Sequence, residues 1–514
     1  MSRNLFAGQS SLRRRSLVLG AAGASLAHLA GCGGGSMGDG MGMAGQAPLA
    51  DPSAAANPGP NLPLVPLDLG MADTSGGRRF QLAARRGSAS LSAAGAADTL
   101  GYNGPFLGPA LRLRTGQKTT IRVQNDLAEA TTVHWHGLVI PADMDGGPHQ
   151  PIAPGEHWDA SFTVTNPAST CWYHPHLHGA TGRQVVAGLA GLLIVDDPAA
   201  APGLLPDTWG VDDLALVLQD KRFTASGQID YALTAAEKVT GYAGDRLLVN
   251  GAFGPVWQAP RQWVRLRLLN GCNARSLVLR LSHAATMLQI ANEAGWLASP
   301  VLRPSVTLGA GERAEVLVDF SAVPIGQDRL LYAASADTGM GMGMDMGGGA
   351  AAAEVTALTM RVSLPMQAGA IVSPPAALPA ATPVRAGAGA ATRFFSLDGG
   401  MMGAPFAING RRFDMGRVDF AVPAGTVEVW RFTNATGMAH PMHVHGVHMS
   451  LIARAGNPPA AHERGLRDTF VVDAMQTVSV AVQTPAVASA VPLMFHCHIL
   501  EHEDAGMMGQ FISV

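Results

Sequence analysis

Charge is scarce in this sequence. Lys, Arg, Asp and Glu make up 14% of 514 residues, and the formal net charge is −3. There is no basic field to hold a polyphosphate, which argues against nucleic acid as a partner. Long apolar runs are missing too. After the N-terminal segment none reaches the roughly 18 residues of a membrane-crossing helix, so attachment to a membrane would have to lie at the N-terminus. Cysteine is rare, with only Cys32, Cys171, Cys272 and Cys497. Outside the cytoplasm Cys171 and Cys272 could pair or stay as two separate buried thiols. Neither reads as a metal ligand.

What is abundant is Gly (62) and Pro (34), which favours many short strands and turns over long helices. The length suits about three domains. Residues 1–32 read as a targeting segment. Arg13-Arg14-Arg15-Ser16-Leu17 opens a mildly apolar run to Ala30 and resembles a twin-arginine export signal. Leu29-Ala30-Gly31-Cys32 reads as a lipobox with Cys32 as the lipidated residue; the alternative is a soluble protein cleaved nearby. The expectation is export to the periplasm with a lipid anchor. Gly33 gives no inner-membrane retention signal, which favours the outer membrane. Residues 33–60, rich in Gly, Ala, Ser, Pro and Met, read as a flexible tether.

The remainder carries a threefold echo. Lys118–Asn125, Trp263–Asn270 and 426–434 each alternate in polarity and end in Asn. A second echo follows each, at 154–162, 310–318 and 473–480. The period of about 150 residues suits tandem domains rather than a solenoid. Period-two alternation between Gly/Pro turns argues β-sandwiches. The chain is therefore read as all-β, with domains at 61–200, 206–365 and 386–514 and a Pro/Ala/Gly-rich link over 366–390.

Most of the 17 histidines fall in four short clusters. They are His134-Trp135-His136, His174-Pro175-His176-Leu177-His178, His440-Pro441-Met442-His443-Val444-His445, and a C-terminal run from His496-Cys497-His498 through His502 to Met507. A thiolate with imidazoles and a weak axial Met is a blue-copper ligand set. On a strand, His496 and His498 point to one face and Cys497 to the other, so one segment can serve two metal sites. The second repeat carries only His283. It should bind no copper and act as a spacer.

In this order the four clusters resemble the copper-binding motifs of the multicopper oxidases. Arg267–Arg275, Ala187–Leu192 and 501–508 bring the sequence nearest to the bacterial copper-efflux oxidases and bacterial laccases. The resemblance implies three cupredoxin-like Greek-key domains. It implies four coppers: one type 1, one type 2 and two type 3. Type 1 would be held by His440, Cys497, His502 and axial Met507, with a low-to-moderate potential. Type 2 would be held by His134 and His443. The type 3 pair would be held by His136, His174 and His498, and by His176, His445 and His496. Asp145 and Glu503 match the family's proton carriers, or else are structural acids. Asp468 reads as a residue holding ligands in place. His178 and His448 fall outside the pattern. His149, His157, His283 and His462 read as surface or core residues, and His28 lies in the signal.

The implied activity is one-electron substrate oxidation coupled to reduction of dioxygen to water, by a monomer. Two substrates are open, cuprous ion and phenols or aromatic amines. Met340, Met342, Met344, Met346, Met401 and Met402 lie in Gly-rich surroundings, and thioethers suit Cu(I). They read as cuprous-ion recruiters, or as low-complexity filler or a flexible lid. Met438 matches one methionine of the family's labile Cu(I) site. The chain departs from that site at Thr436, where an Asp is expected, and at Leu397, where a Met is. Only a short segment lies between Phe394 and Asn409, which would leave the blue site open to phenols. A copper-storing protein and a copper-free scaffold of the cell-division type are the other classes. An intact ligand set argues against both, and three repeats argue against a two-domain nitrite reductase.

Overall fold

Strands Lys118–Asn125, Trp263–Asn270 and Val427–Asn434 occupy the same place in three successive β-sandwiches. In this computed structural model, residues 46–52, 59–74, 76–336, 354–400 and 404–514 are described. Each of the three strands pairs antiparallel with the second-echo strand of its own repeat: His157–Thr163, Arg313–Asp319 and Thr477–Gln483. Each also pairs parallel with an earlier strand on its other side.

The terminal asparagines do the same job three times. The side-chain amides of Asn125, Asn270 and Asn434 donate to backbone carbonyls of the following loop and of a neighbouring segment. Their carbonyl oxygens accept from the backbone N–H two residues on. Each closes an Asx turn, so the strand ends where a His-bearing or Cys-bearing loop must begin.

Sandwich 1 pairs a four-stranded with a five-stranded sheet, sandwich 2 a seven- with a five-stranded sheet, and sandwich 3 two five-stranded sheets. Each has its own core, around Ile121 and Val123, around Leu266 and Val316, and around Trp430 and Phe432. Alternation does not leave a wet face on Trp263–Asn270. Arg265 and Arg267 point into the interface with sandwich 1, where they meet Glu315, Asp213 and Thr170. All are buried, so removing one partner strands a charge, at about 3–5 kcal/mol.

The tether read from sequence needs shortening. Within 33–60, Leu49 is buried in the core of sandwich 2, and the Ala47 carbonyl accepts from Arg275. The apolar Leu49 side chain is what holds this stretch down. Cys171 and Cys272 are both free and buried, which settles their alternatives as separate thiols. Among the described residues no helix is long and apolar enough to cross a membrane. Residues 1–32 with Cys32, and the Met-rich positions 340, 342, 344, 346, 401 and 402, lie outside the described residues.

Candidate metal centres

Cross-strand pairing sets the histidines. In sandwich 1, His134 and His174 form a β-bridge, with the His134 N–H donating to the His174 carbonyl at 2.8 Å. In sandwich 3, strand His440–Val444 lies between Thr469–Val472 and Ser489–Cys497, which puts His443 opposite His496 and Met442 opposite Cys497. Sandwiches 1 and 3 then present their imidazoles to one another. His134 faces His443 Nε2 to Nε2 at 3.3 Å, and His176 faces His496 at 3.2 Å. His445 reaches the same His496 nitrogen at 3.1 Å, and His136 Nδ1 lies 3.4 Å from His174 Nε2.

Five groups thereby gather their donor atoms within 4.8 Å: His134, His136 and His443; His136, His174 and His498; His176, His445 and His496; His440, Cys497 and His502; and His134, Asp145 and His445. All these residues are buried. Met507 is buried in the same core as Cys497, and its carbonyl accepts from the Cys497 N–H at 3.1 Å. Met438 is buried beside the His440 strand, its carbonyl accepting from Asn434. Sandwich 2 contributes no member to these groups among the described residues.

The donor set fits a metal. Burial, and after it the neighbouring imidazoles, holds His176, His443 and His445 well below the usual range, and His496 falls to about 3. They are neutral, as ligands must be. Burial pushes the Cys497 thiol far up, so only a cation would make it a thiolate there. Both ring nitrogens of His498 and Nδ1 of His176 lack a hydrogen-bond partner. Buried polar atoms are rarely orphaned; a cation among these rings would satisfy the His498 nitrogen that faces it, while His176 Nδ1 is turned to Glu503.

Several other ring nitrogens are held by acceptors. His443 Nδ1 donates to the Asp468 carbonyl at 2.8 Å, and His136 Nε2 to the Asp468 carboxylate at 3.0 Å. Arg313 of sandwich 2 clamps that carboxylate through two bonds, at 2.7 and 2.6 Å. Asp145 accepts from His445 Nδ1 at 2.7 Å. His496 Nδ1 donates to the Cys497 carbonyl at 3.0 Å, and the Glu503 carboxyl lies 3.4 Å from His176 Nδ1 and 3.3 Å from that His496 nitrogen. Burial, and then Asp504, raises its affinity for a proton. Gly311 has φ +81°, and a Cβ there would strike the His498 ring.

At the thiolate group, His440 Nδ1 lies 3.4 Å and His502 Nδ1 3.6 Å from Cys497 Sγ. Their Nε2 atoms point away, to Thr436 Oγ1 and to the Val239 carbonyl, both at 2.8 Å. The Phe406 ring lies over His502 at 4.1 Å between centroids.

Sequence reasoning reached the imidazoles, the thiol and the acids, but missed Arg313, Thr469, Phe406 and Val239. Thr469 Oγ1 lies 3.0 Å from His136 Nε2, and no motif surrounds it. Its place directly after Asp468 was the available signal. Of the remaining histidines, His178 meets Phe413, His448 meets Asn166 and His149 meets Gln510. His462 lines a cavity between sandwiches 2 and 3, while His157 and His283 are exposed.

This is the architecture of a copper-dependent oxidoreductase, and comparison with known proteins agrees. Two family models described as Multicopper oxidase match residues 84–200 and 387–514. The multicopper oxidase of Staphylococcus haemolyticus is 34% identical over 442 residues, 85% of this chain and 89% of that protein. The cell division protein FtsP of Xenorhabdus nematophila is 32% identical over 453 residues, 88% and 92%. The solved laccase-like multicopper oxidase CueO of Ochrobactrum sp. superposes with a TM-score of 0.79 at 37% identity, covering 88% of this chain and all of that one. The chain belongs to the multicopper oxidase family.

Proposed function

We propose that this multicopper oxidase takes single electrons at a type 1 copper and reduces dioxygen to water at a trinuclear copper cluster, with cuprous ion as its substrate. The observation that carries the reading is the set of imidazole groups shared between sandwiches 1 and 3. His440, Cys497 and His502, with Met507 as axial ligand, would hold type 1. His134 and His443 would hold type 2. His136, His174 and His498, and His176, His445 and His496, would hold the type 3 pair. Four coppers so held supply one-electron transfer and store the electrons that dioxygen needs.

The chain's own residues do the rest. Cys497 lies between His496 and His498, so one backbone joins the two centres. Glu503, buried beneath two ring nitrogens and ready to keep its proton, delivers protons on the His176 and His496 side. Asp145 does so beside His445. For cuprous ion the balance is four Cu(I), one dioxygen and four protons giving four Cu(II) and two waters.

Soft thioethers support the cuprous reading: Met438 near His440, and the Met-rich 340–346 and 401–402 stretches as recruiters. A laccase reading, with phenols or aromatic amines as donors, is supported by the Ochrobactrum relative, described as active towards lignin model compounds. A ligand-free scaffold or a copper store is disfavoured, because neither role needs imidazoles from two domains aimed at one point. Export to the periplasm, a lipid anchor at Cys32 and a monomeric state complete the proposal.

Oxygen uptake by one copper-loaded sample decides between the substrates. Cu(I) is compared with 2,6-dimethoxyphenol, the phenol being assayed with and without added Cu(II). Much higher efficiency with Cu(I), lowered when Met340, Met342, Met344 and Met346 are replaced, supports the cuprous reading. Strong phenol turnover without Cu(II), and indifference to those replacements, establishes a laccase.

A further inference from the structure

The His502 ring has one nitrogen turned toward Cys497 and one turned outward. Of the two outward ring nitrogens at this site, His440 Nε2 faces Thr436 Oγ1, and the outward Nε2–H of His502 offers a docked donor a route in through a hydrogen bond. It is already taken. The Val239 carbonyl, on the short helix Glu237–Thr240 of sandwich 2, accepts it at 2.8 Å. Phe406 lies over the same ring, and His502 is fully buried.

The segment carrying Val239 is fixed in place at several points. Tyr231 donates its hydroxyl to Glu501 at 2.8 Å, and the Tyr242 N–H donates to the other oxygen of Glu501 at 2.9 Å. Glu501 precedes His502 on the helix Leu500–Asp504. Glu237 holds the segment from behind, pairing with Arg222 and accepting from the Thr234 N–H. Gly241 has φ +80°, and a Cβ there would run into Ala274 and Ile499, so the backbone approaches sandwich 3 as closely as glycine allows. Val239 itself packs on the core of sandwich 3.

We infer that the Tyr231–Gly241 segment is a selectivity cover that keeps aromatic donors off the His502 ring edge and so reserves the type 1 site for a small donor such as cuprous ion. A phenol would have to displace the Val239 carbonyl to place its oxygen on Nε2–H, and a planar ring would have to displace the segment. A bare ion needs neither. This rests on the oxidase reading above and narrows its substrate.

Copper-loaded wild type, Glu237→Ala and Tyr231→Phe are compared, since both substitutions loosen the segment and leave every proposed ligand in place. The first readout is titration with 4-methylbenzoate, an aromatic that does not reduce copper, followed by the type 1 absorption and electron paramagnetic resonance signals. The second is KM and kcat for 2,6-dimethoxyphenol and for Cu(I). The wild-type signals should be indifferent to the benzoate and those of both variants should shift. The phenol KM should fall about tenfold while Cu(I) efficiency stays within about twofold, the scale of a pocket contact. Benzoate-sensitive wild-type signals, or variants whose blue signal persists with an unchanged phenol KM, overturn the cover. Absence of any blue signal in wild type overturns the oxidase reading and the cover with it. A third variant, Gly241→Ala, forces the segment outward by steric clash and should match the other two; a wild-type response from it counts against the cover.

Discussion

His134 and His443, 309 positions apart in the chain, face each other Nε2 to Nε2 at 3.3 Å. One belongs to sandwich 1 and the other to sandwich 3, so the gap between them exists only while the two sandwiches are docked. Copper that binds there binds the folded chain alone, and stabilises it by mass action. At a hundredfold excess over Kd that amounts to about 2.7 kcal/mol. Chelation should lower the unfolding temperature by several degrees and reloading should restore it. Superimposable melting curves with and without copper would place the metal elsewhere.

Cys497 is the only thiol in the five groups found among the described residues. Cys497→Ser should abolish the blue absorption and cut oxygen uptake at least about a hundredfold, while the cluster of imidazoles keeps its copper. A blue band surviving in the serine variant would remove Cys497 from type 1.

Arg313 holds Asp468, and Asp468 holds His136 and His443. Loss of such an outer contact costs about 10–100-fold in metal affinity. Arg313→Met should therefore lower copper retained after dialysis and spare the Cys497 site. Unchanged copper content, measured by atomic absorption, would show the clamp to be dispensable.

Glu503→Gln keeps the shape of the carboxyl and removes its proton. Turnover with a saturating donor should fall by about a hundredfold, with the blue band and copper content unchanged. Equal turnover would leave Glu503 as a structural acid and Asp145 as the remaining candidate.

Lys221 gives a stability test away from copper. It is buried beneath the Phe106 ring, and burial brings its amine down to about 8 from 10.5. Burial in the folded chain disfavours the charged amine, which still keeps its proton below about 8. Below pH 8 the cost of the buried charge is full. Between 8 and 10.5 the unfolded chain holds more protons, so stability rises with pH. Lys221→Met lacks this rise. Its advantage over wild type in urea unfolding should be greatest near neutrality and shrink toward pH 10.5. Parallel pH profiles for the two proteins would refute the assignment.

Much of this was legible in the sequence because the repeats announce themselves locally. Asn125, Asn270 and Asn434 end equivalent strands, and His-x-His spacing survives any uncertainty about register. What could not be read was whatever depends on one sandwich touching another. Arg265 and Arg267 look like the wet face of a strand and are buried against sandwich 1. Leu49 sits in a stretch with the composition of a tether and is core. Val239 acts through its carbonyl, which every residue has, so no side-chain pattern marks it. Arg313 earns its role by reaching another domain's carboxylate, a contact that sequence spacing does not encode.

Sandwich 2, which lends no donor atom to the metal groups among the described residues, nonetheless grips both centres at separate points. Arg313 reaches one through Asp468, and Val239 reaches the other through His502. The two grips lie on different parts of the domain and share no residue. A redesign of this middle domain would therefore work as two independent dials, one setting how firmly the oxygen-reducing end keeps its copper and the other setting what is allowed to feed it electrons.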